Sequence, residues 1–333
     1  MDVRLIDPFD DALLRRWHQV TEVAMQHERP WVSVPSLESD RSRFREEIPF
    51  DRAEAVAAFE GDDMVGAGYV IINRLGNVDK AWGSVAVEPH LRRRGIGSAV
   101  LALLVDRARA ADADYLFLQT SYPFEERESH PYRRFAEANG FALDLDEIHR
   151  VLPLPVSEEL LEHLASEARV RHEGYRIETW LYDVPERYLD SWLEVHNLLA
   201  VDAPAGVIPW DEDRMDAPTY EKERDLLRGL GRAFYTTVAI SPDEQVVAFS
   251  DLVLQDGGST RVSQWGTLVR RDHRGHRLGT AVKVANLAEV QRRHPERTEV
   301  HTTNAETNAA MVGINETLGF RAVAVHPGFY RKL

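Results

Sequence analysis

Trp82-Gly83-Ser84-Val85-Ala86-Val87-Glu88-Pro89-His90-Leu91-Arg92-Arg93-Arg94-Gly95-Ile96-Gly97-Ser98 reads as an apolar strand, then a turn rich in Arg and Gly, then the start of an amphipathic helix. The pattern returns as Trp265-Gly266-Thr267-Leu268-Val269-Arg270-Arg271-Asp272-His273-Arg274-Gly275-His276-Arg277-Leu278-Gly279-Thr280. Gly97 and Gly279 stand 182 positions apart; the pairs Gly140-Phe141 and Gly319-Phe320 stand 179 apart. Two landmarks in the same order at nearly one spacing imply two copies of one domain. Pro153 and Pro155 interrupt regular structure between the copies, so the expected domains are 1–155 and 156–333.

Working outward, residues 3–6 read as a strand and 10–26 as a helix. Residues 56–60 and 64–73 form a hairpin about Gly61-Asp62-Asp63, and 81–87 is the motif strand. The motif helix spans 96–110, followed by a strand at 115–120 and a helix at 131–139. The second copy repeats this: strand 175–181, helices 185–199 and 219–230, and a hairpin of 233–240 with 245–254. Motif strand 260–269, motif helix 278–293, strand 299–303, helix 308–318 and strand 320–326 follow. Ser157 starts a linking helix over 157–169, with acidic residues in its first turn. The expected fold class is α/β (α+β): two tandem domains, each a mixed, mostly antiparallel sheet flanked by helices.

The chain has 333 residues, 44% of them apolar, and a formal net charge of −15. That is enough apolar surface for two cores and the wrong sign for a broad nucleic-acid face. There is no Cys, which excludes disulfides, thiolate metal sites and a thiol nucleophile. No apolar run approaches the roughly 18–20 residues of a membrane helix, and the N-terminus lacks a signal-peptide pattern. The expectation is a cytoplasmic protein, monomer or homodimer, with neither nucleic acid nor membrane as partner. His273 and His276 lack a third ligand, so no metal site is assigned.

A strand, an Arg- and Gly-rich turn and a helix start together suit a phosphate. Glycine lets backbone approach a ligand, the first helical N–H groups lack internal partners, and arginines add charge-assisted bonds. The turn is neither a P-loop nor a dinucleotide fingerprint.

The run Val87-x-Pro89-x-x-Arg92-Arg93-x-Gly95-Ile96-Gly97 resembles the coenzyme A pyrophosphate loop of the GNAT acyltransferase superfamily, whose core is Arg/Gln-x-x-Gly-x-Gly/Ala. Arg274-Gly275-His276-Arg277-Leu278-Gly279 is similar to it, with Arg277 where the core glycine is usual. Asn304-Ala305-Glu306-Thr307-Asn308-Ala309-Ala310-Met311, running on to Gly319-Phe320, resembles the family's Asn-x-x-Ala…Gly-Phe segment. In plan the chain is similar to actinobacterial tandem GNAT proteins of the mycothiol synthase type, and Asp202-Ala203-Pro204 before the helix ending in Glu223-Arg224 resembles that subgroup.

The resemblance implies acetyl-CoA, or another acyl-CoA, lying between the motif strand and the next strand. Backbone of Leu268 and Val269, or of Val85 and Val87, would pair with the pantetheine arm. Arg92, Arg93, Arg94, Gly95, Ile96, Gly97 and Ser98, and Arg274, Gly275, His276, Arg277, Leu278, Gly279 and Thr280, would hold the pyrophosphate. Asn304 and Asn308 would face the cofactor. The implied function is N-acetyl transfer to a small-molecule amine by direct attack on the thioester, favoured in the C-terminal copy. The alternatives are a non-catalytic acyl-CoA sensor or scaffold, or a protein N-acetyltransferase.

Many family members place a Tyr four residues before the Gly of Gly-Phe. This chain has Ala136 and Asn315 there. Asn315 can donate a hydrogen bond to the leaving sulfur but cannot act as a phenol. Asp251, within an apolar strand, and Asp202, before a helix, are the candidate bases or substrate anchors; their ordinary readings are a strand-edge carboxylate and a turn residue. Asn308 also reads as a helix N-cap.

Overall fold

The structure is a computed structural model that describes residues 1–32, 34–46, 48, 50–202, 206–211, 215–254 and 259–333. Ala203 and Pro204 of the subgroup-like segment lie outside the described residues. The chain divides into two compact units, Met1–Glu147 with Ala324–Leu333, and Ile148–Val323.

The early elements are β1 (Asp2–Leu5), α1 (Asp11–Gln26), α2 (Leu37–Arg45), β2 (Asp51–Glu60), β3 (Asp63–Asn73) and β4 (Lys80–Ala86). They are followed by α3 (Ile96–Arg109), β5 (Tyr115–Gln119), α4 (Pro131–Ala138) and β6 (Ala142–Pro153). Next come α5 (Glu158–Arg169), β7 (Arg176–Leu181), α6 (Glu186–Asn197), α7 (Leu199–Asp202) and α8 (Ala217–Gly229). The chain closes with β8 (Ala233–Ile240), β9 (Val246–Leu254), β10 (Arg261–Val269), α9 (Leu278–Arg293), β11 (Glu299–Ala305), α10 (Ala309–Leu318) and β12 (Arg321–Lys332).

In the first unit the strands run β1-β2-β3-β4-β5-β12. β1–β2, β2–β3, β3–β4 and β5–β12 are antiparallel and β4–β5 is parallel. In the second unit the order is β6-β11-β10-β9-β8-β7, with β10–β11 parallel and the β7–β8, β8–β9 and β9–β10 pairs antiparallel. The two sheets share one plan: β7 to β11 repeat β1 to β5.

The sequence placed the domain join at 155/156, whereas the compact units part at 147/148. Packing explains the difference. Leu152 and Val156 sit in the second unit's core with Leu161, Leu164 and Phe320, and the chain's last strand sets Phe329 into the first unit's core. The strand beside β5 therefore comes from the end of the chain.

Both faces of each sheet are covered. Along β2, Val56 and Ala58 pack with Ile96, Val100 and Leu104 of α3, while Ala55, Ala57 and Phe59 pack with Leu14, Trp17 and Val20 of α1. Period-two alternation thus sends successive residues to opposite helices, and the strand reads as nearly continuous apolar sequence. β8 repeats this, with Val238 and Ile240 against Trp192 of α6 and Ala239 against Leu278 and Val282 of α9. Gly68 permits the close seat of α3, because a Cβ there would stand 2.7 Å from Val100 Cγ1 and from Ser84 O. The buried Trp17 indole donates to the carbonyls of Val56 and Gly68, so it leaves no unpaired donor.

Candidate functional site

In each unit the two parallel strands separate. β4 pairs with β5 from Lys80 to Gly83, and β10 pairs with β11 only from Arg261 to Ser263. Beyond those points β4 continues to Ala86 and β10 to Val269. Their outer edges stay paired, Val85 with Gly68, Leu268 with Phe249 and Val269 with Ala248. The edge facing the parallel neighbour is left for an extended ligand. β10 also carries a register shift between Gln264 and Thr267, and Trp265 beside it is 45% exposed. A bulge of this kind turns a strand away from its neighbour.

Each opening leads to a loop of the same shape. A single 3-10 turn, Pro89–Leu91 or Arg271–His273, precedes an extended Arg92 or Arg274. Arg92 Nε donates to Val87 O at 3.1 Å, and Arg274 Nε donates to Val269 O at 3.2 Å. Two left-handed residues follow in each copy: Arg93 (φ 66) and Gly95 (φ 81), then Gly275 (φ 89) and Arg277 (φ 53). The glycine has changed places between copies, but the backbone has not. Gly275 therefore replaces Arg93, and Arg277 takes the strained position that Gly95 fills without cost.

α3 and α9 start at Gly95 and Arg277 with no side-chain cap, whereas α1, α2, α5, α8 and α10 are capped by Asp10, Ser36, Ser157, Asp216 and Asn308. The first intrahelical bonds reach Gly95 O and Arg277 O from Ala99 and Ala281. The N–H groups of Ile96, Gly97 and Ser98, and of Leu278, Gly279 and Thr280, are the donors a helix start offers an anion. Gly97 and Gly279 lie under the next helix: a Cβ would meet Phe135 and Ile314 at 3.2 Å.

The loop side chains differ. In the first copy Arg94 pairs with Glu60, Arg93 is exposed, and Arg92 lies over the Tyr132 ring. In the second, Arg271 and Arg274 take the two oxygens of Asp202 at 2.5 and 3.0 Å, and that carboxylate is only 3% exposed. Arg277 pairs with Glu167 and holds the Glu167 carboxyl below its usual range. His276 Nδ1 lies 3.2 Å from Arg171 O. Asp202 thus bridges two loop arginines, which engage both of its oxygens.

Asn315 and Asn304 come together: Asn315 Nδ2 donates to Asn304 Oδ1 at 2.6 Å, and the buried Asn315 Oδ1 has no partner. Asn308 stands apart as the N-cap of α10, accepting from Met311 N–H. Asp251 is buried on β9, paired in register with Thr236; burial pushes its carboxyl up to about 7, opposed by the charge of Arg224. Its Oδ1 has no hydrogen-bond partner.

Of the buried cations beside the second unit's helices, Lys283 was not singled out in the sequence and Arg224 entered only through the subgroup resemblance. Arg224 sits among Phe234, Tyr220 and Trp192, its guanidinium carbon 3.7, 4.8 and 5.6 Å from their ring centres. Lys283 is 1% exposed, with Nζ 3.9 Å from Met311 Sδ and 5.4 Å from the Phe320 ring centre. Burial lowers its ammonium to about 7. The available signal was spacing: Arg224 occupies the apolar face between Tyr220 and Leu227, and Lys283 stands 182 positions after Leu101. Among the described residues no helix is long and apolar enough to cross a membrane.

Residues 17–141 match the acetyltransferase (GNAT) family. No curated protein sequence matches the chain. Among solved structures, a tandem GNAT protein from the clavulanic acid biosynthesis pathway, determined without acetyl-CoA, is similar at a TM-score of 0.78 and 23% identity, over 99% of this chain and 98% of that one. A GCN5-related N-acetyltransferase from Sphaerobacter thermophilus is similar at 0.63 and 16% identity, over 99% and 95%. A putative acetyltransferase from Pyrococcus horikoshii is similar at 0.52 and 13%, over 100% and 89%. The chain therefore carries a GNAT acetyltransferase-family domain at residues 17–141, and over its whole length it has the fold of a tandem GNAT protein.

Proposed function

We propose that the chain is a cytoplasmic N-acyltransferase that moves an acetyl group from acetyl-CoA to a small-molecule amine, with catalysis in the second unit. The observation that carries this reading is the pair of parted strands ending at an uncapped helix start. The open edge of β10 suits an extended amide-bearing arm, and the N–H groups at Leu278, Gly279 and Thr280 suit its diphosphate. The second unit is favoured because its strands part earlier, its motif strand is bulged, and Asn304 and Asn315 meet beside the opening.

When bound, acetyl-CoA supplies a thioester carbon that a neutral amine attacks directly. An alkylammonium with a pKa of about 10.4 must first lose a proton. Asp251 is the proposed final acceptor of that proton, since burial has moved its carboxyl close to neutrality. The leaving thiolate needs less help, its pKa being about 8.5. The second amide proton of Asn315 is the proposed donor to it. With no Cys in the chain, no cysteine-bound acyl intermediate forms.

Ser98 and Thr280 are the third residues of their helices. Glutamate there is favourable to a helix start but repels a bound anion. Thr280→Glu should weaken acetyl-CoA binding, measured by calorimetry, by about tenfold or more, and slow thiol release over an amine panel. Turnover lost in Ser98→Glu and kept in Thr280→Glu would move catalysis to the first unit. A second reading, acetyl-CoA binding without turnover, is favoured by Ala136 and Asn315 standing where many GNAT enzymes have Tyr. Binding without thiol release from any amine would establish it.

A further inference from the structure

We propose that the first unit carries an oxyanion site, formed by Arg29 and Arg92 over the ring of Tyr132, which takes the carboxylate or phosphate of a small molecule. The guanidinium carbons of Arg29 and Arg92 lie 4.9 and 5.4 Å from the Tyr132 ring centre. Both side chains reach one backbone oxygen: Arg29 Nη2 donates to Ala24 O at 3.0 Å, and Arg92 Nη2 approaches it at 3.5 Å. Arg29 Nη1 also donates to Thr120 Oγ1 at 3.3 Å, while its buried Nε has no partner. Among the described residues, neither guanidinium is paired with a carboxylate.

Two like charges sharing a carbonyl in a half-buried setting repel each other, and one aromatic face does not neutralise both. Burial and the charge of Arg92 lower Arg29, and burial with the same two arginines lowers His130. His326 falls to about 4 through burial and the Arg29 charge. Glu126 and Glu28 act on His130 in the opposite sense but do not pair with either arginine.

The second unit shows what completes such a site. Arg274 is the repeat counterpart of Arg92, with the same bond from Nε to the end of the motif strand. There the segment after the first helix supplies Asp202, whose carboxylate bridges Arg271 and Arg274. In the first unit the corresponding segment supplies Arg29, so the anion must come from outside the chain. Paired guanidinium forks suit carboxylate and phosphate oxygens alike.

The test uses the full chain in phosphate-free buffer of low ionic strength, titrated with inorganic phosphate against a chloride control. Wild type should show a saturable rise in Tm, about 3 °C at ten times Kd, and a binding heat by calorimetry. Arg29→Glu places a carboxylate opposite Arg92; it should unfold at a higher temperature without phosphate and lose the phosphate dependence. Arg29→Met should lose the binding heat at least tenfold, which keeps the test valid if the glutamate variant misfolds. Repeating the titration with acetate, and then with acetyl-CoA present, separates the sources. Independent binding identifies a separate metabolite, whereas displacement by acetyl-CoA would assign the anion to the loop's own cofactor site and overturn the proposal. Equal phosphate binding in wild type and Arg29→Met, or none in wild type, would overturn the site.

Discussion

The two motif loops share a backbone and differ in almost every charge partner. In the first unit Arg92 faces Arg29, and both wait on one tyrosine ring. In the second, Arg274 and Arg271 are closed on Asp202 and Arg277 on Glu167. The motif helices differ in the same way. Where α3 buries Leu101 and Leu104, α9 buries Lys283 and Asn286 at the repeat-equivalent positions. The second unit therefore sets its loop arginines against carboxylates and keeps its helix polar, and the first leaves Arg92 without a carboxylate and keeps its helix apolar. One fold tolerates both because backbone geometry, which the repeat preserves, is set by main-chain bonds and the two left-handed residues. Charge balance is settled separately by whichever side chains lie opposite.

The comparison breaks most sharply at Lys283. Its folded-state pKa of about 7 lies below the usual lysine range. The cost of burying it is absent above the usual pKa, grows as pH falls towards 7, and is constant below. Lys283→Leu, which copies Leu101, should stabilise the protein by of order 4 kcal/mol at pH 7 and by little near pH 10.5. Denaturant melts at both pH values check this.

Asp251 is the next largest effect, with the opposite pH sense. Its folded pKa is raised to about 7. The stability it contributes is fully present below the usual aspartate pKa of about 3.9 and is lost as pH rises through 7. Wild type should lose of order 4 kcal/mol between pH 4 and 8 relative to Asp251→Asn, in denaturant melts across that range. If Asp251 is also the base, the same substitution removes the corresponding limb from the pH profile of kcat.

Asn286 sharpens the contrast, because it shares the Lys283 helix and should respond oppositely. Its Nδ2 donates to Tyr235 O and Ser250 O at 3.1 and 2.7 Å. Asn286→Leu, copying Leu104, leaves both buried carbonyls without that donor and should cost about 1–3 kcal/mol by chemical denaturation. The smallest effect concerns the loops. A Cβ at Gly95 or Gly275 meets nothing within 4 Å, so substitution there tests the backbone alone. Gly95→Val and Gly275→Val should each cost about 1–2 kcal/mol, and Arg277→Gly should regain about 1 kcal/mol of left-handed strain. Melts of the four proteins in one buffer would show it.

Periodicity and turn signals were enough for most elements. The helix capped by Ser157, the hairpin about Gly61-Asp62-Asp63 and both motif helices lie where the pattern put them, within a few residues. α2 was missed because its polar sequence lacks an apolar stripe, and β6 because the alternation of Leu143-Asp144-Leu145-Asp146 uses aspartates, which strands disfavour, and breaks at Glu147. For the site, the loop positions and Asn315 were legible as residue types at a spacing. The Asp202 bridge, the Arg29–Arg92 pair and the Asn304–Asn315 bond were not, since each joins segments far apart in the chain.

What the sequence determined alone was the repeat, the α/β plan of each half and the two Arg- and Gly-rich loops, because these rest on local periodicity and local turn chemistry. Only the tertiary structure decided that the last strand belongs to the first unit and that Asp202 is spent on two arginines. It alone also showed that the first loop's arginine confronts another arginine. Strand order and charge pairing depend on which distant segments share a surface, and nothing in the spacing of one segment records what packs against it.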